Sequence, residues 1–233
     1  MTRSPDRELP PLVVALARRC GAKIGDTSTN QVVLTQTGSM RTDASHAWAP
    51  FRARQTIAVD RTGFTWRATT GPLGCIAVTD ALDATGPRLS VVALGFIPLA
   101  RAVADAGLTK GELQRYLAEL PLAPDAILRN AALDWEVLSH DVLRVAATHR
   151  GVRASVDLTL DADGLVASVF APDRPRQEGA TMVERPWTGR FKDYRWRDGR
   201  LVPFTAEVGW TLDGEDIVYW RGQMASWEMG GGA

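Results

Sequence analysis

The stretch T-K-G-E-L-Q-R-Y-L-A-E-L, residues 109–120, gathers the groups best spaced for chemistry. Read as a helix, it sets Glu112 and Arg115 three residues apart and Arg115 and Glu119 four apart, so each pair shares a face. A carboxylate held beside a guanidinium in a water-poor site can serve as a general acid or base, and Glu119 with Arg115 is the candidate catalytic pair. On a solvated face the same charges would be surface ion pairs of little worth. Leu113, Leu117 and Leu120 make the apolar stripe beside them, with Tyr116 at its margin. Two readings stay open. Either this is an ordinary charged face, or Arg115, Tyr116 and Glu119 rim a cavity between helix and sheet.

A second anomaly lies in W-A-P-F-R-A-R-Q, residues 48–55. The inward row of the strand expected there reads Phe51, Ala53, Gln55, Ile57, Val59. An amide in an apolar row must find partners, because leaving it unsatisfied costs about 1–3 kcal/mol. Gln55 could bond backbone at a strand bend, meet Tyr116 or Arg115 from a covering helix, or face a hydrated cavity.

Several classes of chemistry lack their residues. His46, His140 and His149 show no ligand spacing, and no H-E-x-x-H or C-x-x-C occurs, so neither a metal nor a cofactor is expected. There is no G-x-S-x-G, P-loop or G-x-G-x-x-G. D-A-D-G at Asp161 starts like a calcium loop but lacks the closing glutamate, and is read as a hairpin turn. Lys and Arg number 27, as do Asp and Glu, so nothing draws the chain to nucleic acid or anionic lipid. Arginine and aromatic residues do mix around Trp187, Trp196 and Trp220, a pattern that can stack bases. At zero net charge, rings in a core with arginines outside is the preferred reading. No apolar run is long enough to span a membrane, and the polar, proline-rich start lacks a signal-peptide pattern, so a cytoplasmic protein is expected. Cys20 and Cys75 are read as free thiols.

The elements that would position these groups follow from periodicity. Pro11 opens a helix over 11–20 that Gly21 stops. Alternating strands are expected across 31–96, with D-R-T-G (60–63) and A-T-G-P (84–87) as turns. A helical insert follows at 100–130: a weak helix over Ala100–Ala106, a helix capped by a Thr109–Glu112 capping box and ended by Pro121, then a short helix from Pro124. Strands resume over 134–229, with a polar loop at Pro172–Gly179 and hairpin turns at R-D-G-R (197–200) and L-D-G-E-D (212–216). Residues 26–30 read as loop, and the tail 229–233 as an end effect. The expectation is one α+β domain over residues 1–233: a large curved antiparallel sheet, or half-barrel, with helices packed across its concave face.

Five motifs, in order, carry a resemblance: W-A-P-F-R-A-R-Q, F-T-W-R-A, R-Y-L-A-E, P-W-T-G-R-F-K-D-Y and Y-W-R-G. Together they resemble an uncharacterised bacterial domain-of-unknown-function family, over about residues 9–223. The resemblance implies a fold and candidate positions, not a reaction. The element order is also similar to the LolA/LolB type of lipoprotein carrier, a half-barrel plugged by helices, though an export signal is not found here. By that likeness Phe51, Gln55, Trp66, Arg115, Tyr116 and Glu119 would converge between sheet and helices.

The leading expectation is therefore a binding module for a hydrophobic or amphipathic small molecule, such as a lipid. Trp66, Trp210 and Trp220 would supply apolar wall; Gln55, Arg115 and Glu119 would fix a polar head. An acid–base enzyme and a protein-interaction domain are the alternatives. What separates them is whether the charged stripe of the central helix faces a cavity, solvent or a partner.

Overall fold

The computed structural model describes residues 8–23, 29–42, 45–179 and 181–230. Residues 26–28 of the expected loop and 231–233 of the tail lie outside the described residues, as does Ala180. Among the described residues the chain is mostly β: thirteen strands form one antiparallel sheet that curls into a half-barrel, with few helices.

Helix α1 spans Pro11–Arg19 and buries Val13, Leu16 and Ala17. Gly21 follows with a φ of 78°, and a Cβ there would meet the Gly199 carbonyl oxygen at 2.2 Å, so this stop has to be glycine. Strands β1 (Gln31–Met40), β2 (Ala49–Ala58), β3 (Phe64–Thr70), β4 (Ile76–Asp83), β5 (Gly86–Ala93) and β6 (Ile97–Arg101) form a meander. The alternation is strict where the sequence is: Phe51, Ala53, Gln55 and Ile57 point inward, while Arg52 and Arg54 are exposed.

Helix α2 runs Ala106–Ala118, a single 3-10 turn covers Leu120–Leu122, and α3 spans Pro124–Arg129. Two expectations need correction here. Residues 100 and 101 extend β6 rather than forming a helix, because they pair with Val91 and Ser90. The N-cap of α2 is Asp105, not Thr109: its carboxylate accepts the Leu108 N–H at 2.7 Å, and Thr109 lies inside the first turn with its hydroxyl on the Asp105 carbonyl. Asp caps at least as well as Thr, and the earlier start buries Leu108.

Strands β7 (Asp134–Val137), β8 (Val142–His149), β9 (Val152–Leu160), β10 (Val166–Glu178), β11 (Thr181–Arg197), β12 (Arg200–Leu212) and β13 (Glu215–Gly230) complete the sheet. β13 pairs with β1, joining the two halves into the order 6-5-4-3-2-1-13-12-11-10-9-8-7. Asp198–Gly199 and Asp213–Gly214 all have positive φ, as two-residue hairpin turns require. The expected loop at Pro172–Gly179 is instead mostly strand. β10 keeps β9 as a neighbour only to Phe170, and its register with β11 slips between Ala171 and Arg174. Prolines fit there because one edge needs no N–H donors and the other is bulged. Met229 and Gly230 finish β13, opposite Val32 and Gln31.

Helix α2 touches β4 and β5 on one flank and β8, β9 and β10 on the other. It is accordingly buried almost all round, Glu112 and Gln114 included. No helix among the described residues is long and apolar enough to cross a membrane.

Candidate functional site

A cavity of about 240 Å³ lies between the C-terminal turn of α2 and the inner faces of β1, β3, β4 and β10–β13. Arg115, Ala118 and Glu119 reach it from α2, Gln36 and Met40 from β1, Trp66 from β3 and Asp80 from β4. Its far wall is rings and hydrocarbon, with Trp187, Phe191, Phe204, Trp220 and Met224 prominent.

The charged stripe of α2 faces inward. Arg115 donates through Nε to Glu119 Oε1 at 3.0 Å and through Nη1 to Asp80 Oδ2. Its guanidinium lies over the rings of Phe64 and Trp66, 4.9 and 5.2 Å from their centroids. Burial works against its charge, but Glu119 and then Asp80 outweigh burial and hold the guanidinium above its ordinary range. Gln55, fully buried, donates through Nε2 to Glu119 Oε2 at 2.5 Å. The amide in the apolar row thus ties β2 to the end of α2. It also helps hold a carboxylate at a helix C-terminus, where the macrodipole disfavours one.

Glu112 is the carboxyl that the site perturbs. Burial first, then the Asp80 charge and a hydrogen bond to Asp80, push it well above its ordinary range, against Arg174 and Arg115. Among the described residues neither Asp80 Oδ1 nor Glu112 Oε2 has another hydrogen-bond partner. A neutral Glu112 donating to Asp80 accounts for both oxygens.

Of the residues expected from sequence, Trp66, Arg115, Glu119 and Trp220 line the cavity. Phe51 and Gln55 stand behind its wall. Phe51 stacks on Trp220 at 5.5 Å and meets Trp66 edge-on at 5.6 Å between centroids. Two do not reach it. Tyr116 is fully buried elsewhere: its hydroxyl shares a proton between the Ala58 and Arg61 carbonyls and accepts from Asn130 Nδ2 at 2.8 Å. It locks α2 to the β2–β3 turn. Trp210 stacks on Tyr219 at 5.8 Å and faces a separate hollow with Arg176 and Leu212.

Sequence reasoning missed Asp80, Arg174, Trp187, Phe204 and Tyr219. Asp80 carried the same signal as Gln55, a polar residue in an inward row between Val78 and Leu82. Arg174 and Tyr219 carried none, because both sit beside irregularities. The bulge between Ala171 and Arg174 turns Arg174 inward. Opposite Val208 and Gly209 the register skips Tyr219, so Tyr219 and Trp220, though consecutive, both line the cavity. Cys20 and Cys75 are free; burial pushes the Cys20 thiol up to about 12, so it packs as a small apolar group.

The fold has relatives among solved structures. A LolA superfamily protein from Nitrosomonas europaea superposes with a TM-score of 0.51 at 11% identity, covering 95% of this chain and 94% of that one. A domain from Vibrio parahaemolyticus, described as an outer membrane lipoprotein-sorting protein, gives 0.53 at 11% identity, over 95% and 93%. A DUF1329 family protein from Desulfovibrio piger gives 0.51 at 10% identity, over 94% and 90%. At such identities the likeness is one of fold. No curated protein matches the sequence. Residues 1–222 match the sequence profile of the family of unknown function DUF6544, and the chain belongs to that family.

Proposed function

We propose that the protein is a binding module for a small amphipathic molecule, held between the concave face of the half-barrel and the helices that cover it. The observation that carries this reading is the lining of the cavity: aromatic and aliphatic wall on one side, and Arg115, Glu119, Asp80 and Arg174 gathered at the other. The volume sets a scale. At about 30 Å³ for each water-sized group, roughly eight heavy atoms fit. That suits a short chain, or the end of a longer one entering through the mouth. The fold shared with a domain described as lipoprotein-sorting supports an apolar cargo.

The acid–base alternative finds less support. Glu112, the perturbed carboxyl, is buried behind the cavity wall, and Glu119 is engaged by both Arg115 and Gln55. An interaction domain has one observation in its favour: Leu73, Leu94, Phe96 and Leu99 are exposed around the β5–β6 end of the sheet.

Native mass spectrometry of freshly purified protein, followed by organic extraction, tests the binding reading, together with a titration of 1-octanol followed by tryptophan fluorescence. Saturable octanol binding that an Ala118→Leu variant abolishes is expected, since Ala118 lines the cavity. No bound molecule and no saturable octanol signal would sink it.

A further inference from the structure

The polar end of the cavity is not symmetric in what it offers. Arg115 is occupied by two carboxylates, Asp80 and Glu119. Arg174 is not. It is 9% exposed, lines the same cavity, and among the described residues its one hydrogen bond runs from Nη1 to the Gly111 carbonyl at 2.6 Å. Its guanidinium lies 4.8 Å over the ring of Trp187. Trp187 in turn donates its indole N–H to the Tyr219 hydroxyl oxygen at 3.0 Å. The phenol is therefore an acceptor on one side, and its own proton has no acceptor among the described residues. Burial keeps that proton on, against the pull of Arg174.

The carboxylate oxygens of Asp80 and Glu119 are spent or sealed. Asp80 Oδ2 and both oxygens of Glu119 are bonded to Arg115 and Gln55, and Asp80 Oδ1 and Glu112 Oε2 are cut off from solvent. What this end of the cavity presents to a ligand is hydrogen-bond donors and one arginine charge without a carboxylate bonded to it. Two independent bulges, one beside Arg174 in β10 and one at Tyr219 in β13, turn these donors inward.

We infer that Arg174 and Tyr219 form a site for an anionic head, a carboxylate on a single apolar chain, with the chain lying along Trp187, Phe204 and Met224. This rests on the binding reading above and names the charge of the ligand. A guanidinium stacked on an indole is held in one orientation, so its free N–H groups are aimed before the ligand arrives.

The test compares three eight-carbon probes on the full chain by calorimetry at pH 7 and equal ionic strength: octanoate, 1-octanol and octylammonium. Octanoate should bind at least about tenfold tighter than octanol, the size of a charge-assisted hydrogen bond, and octylammonium weakest. Arg174→Met and Tyr219→Phe should each weaken octanoate about tenfold, and octanoate at least about fivefold more than octanol. Tyr219→Phe removes only the hydroxyl, so it remains informative if the arginine variant folds poorly. Octylammonium binding as tightly as octanoate overturns the anion site, as do variants that weaken octanol and octanoate equally; in both cases the cavity reading stands. If none of the three probes binds, both readings fall.

Discussion

Replacing Arg115 by Met isolates the charge arrangement at the end of α2. Met keeps much of the hydrocarbon stem that packs on Phe64 and Trp66, while removing the guanidinium that holds Asp80 and Glu119. The Arg115, Asp80 and Glu119 side chains are only 18%, 11% and 17% exposed. Stranding a buried charge by deleting its partner costs about 3–5 kcal/mol. Because all three groups reach the cavity, the lower end, about 3 kcal/mol, is expected. For a chain of this size that is a fall in Tm of roughly 6–12 °C. Urea unfolding followed by tryptophan fluorescence at pH 7 measures it. A deficit below about 1 kcal/mol at pH 7 would show that water rather than Arg115 satisfies these carboxylates. It would refute the picture of a water-poor polar end.

Glu112→Gln tests the neutral carboxyl. The folded value lies above the ordinary 4.5, so the folded chain holds a proton that the unfolded chain releases above that pH. The stabilisation is complete below 4.5 and is lost as pH rises toward the folded value. The variant should therefore match wild type at pH 4 and surpass it at pH 8; an equal loss at both refutes the neutral form. Arg200 and Asp125 form a pair at 2.6 and 2.8 Å with side chains 4% and 0% exposed. Arg200→Met should cost about 3–5 kcal/mol in urea unfolding, and far more than Arg61→Met, whose ion pair with Asp60 is exposed. Gly38→Ala puts a Cβ 2.0 Å from the Arg221 carbonyl oxygen and 2.8 Å from the Phe51 ring. A loss of more than about 2 kcal/mol is expected, with altered octanol binding because Phe51 supports Trp220.

The alternating rows of β2 and β3 and the turns R-D-G-R and L-D-G-E-D were legible because each depends on near neighbours. A strand's period and a two-residue turn's need for positive φ are local requirements. Local signals went astray where two neighbouring residues could do one job. Asp105 and Thr109 could each cap α2, and Asp105 won because the longer helix buries Leu108. The inward face of Arg115 and Glu119 was open in the sequence, since a helix carrying charges at such spacing suits solvent equally well. Curling the sheet decided it by bringing β4–β5 and β8–β10 against opposite flanks of the same helix. Tyr116 shows the converse. The sequence placed it at the margin of the stripe, and packing sent its hydroxyl to the β2–β3 turn instead of the cavity.

By itself the sequence determined most of the strands and turns, the helix that crosses between them and the need for a partner at Gln55. It could not determine which residues face the cavity in β10 and β13, because a bulge shifts the two-residue period by one and leaves no mark in composition. Arg174 and Tyr219 reach the cavity only because partner strands fix those shifts. Register is a property of paired chains, and pairing exists only once the sheet has formed.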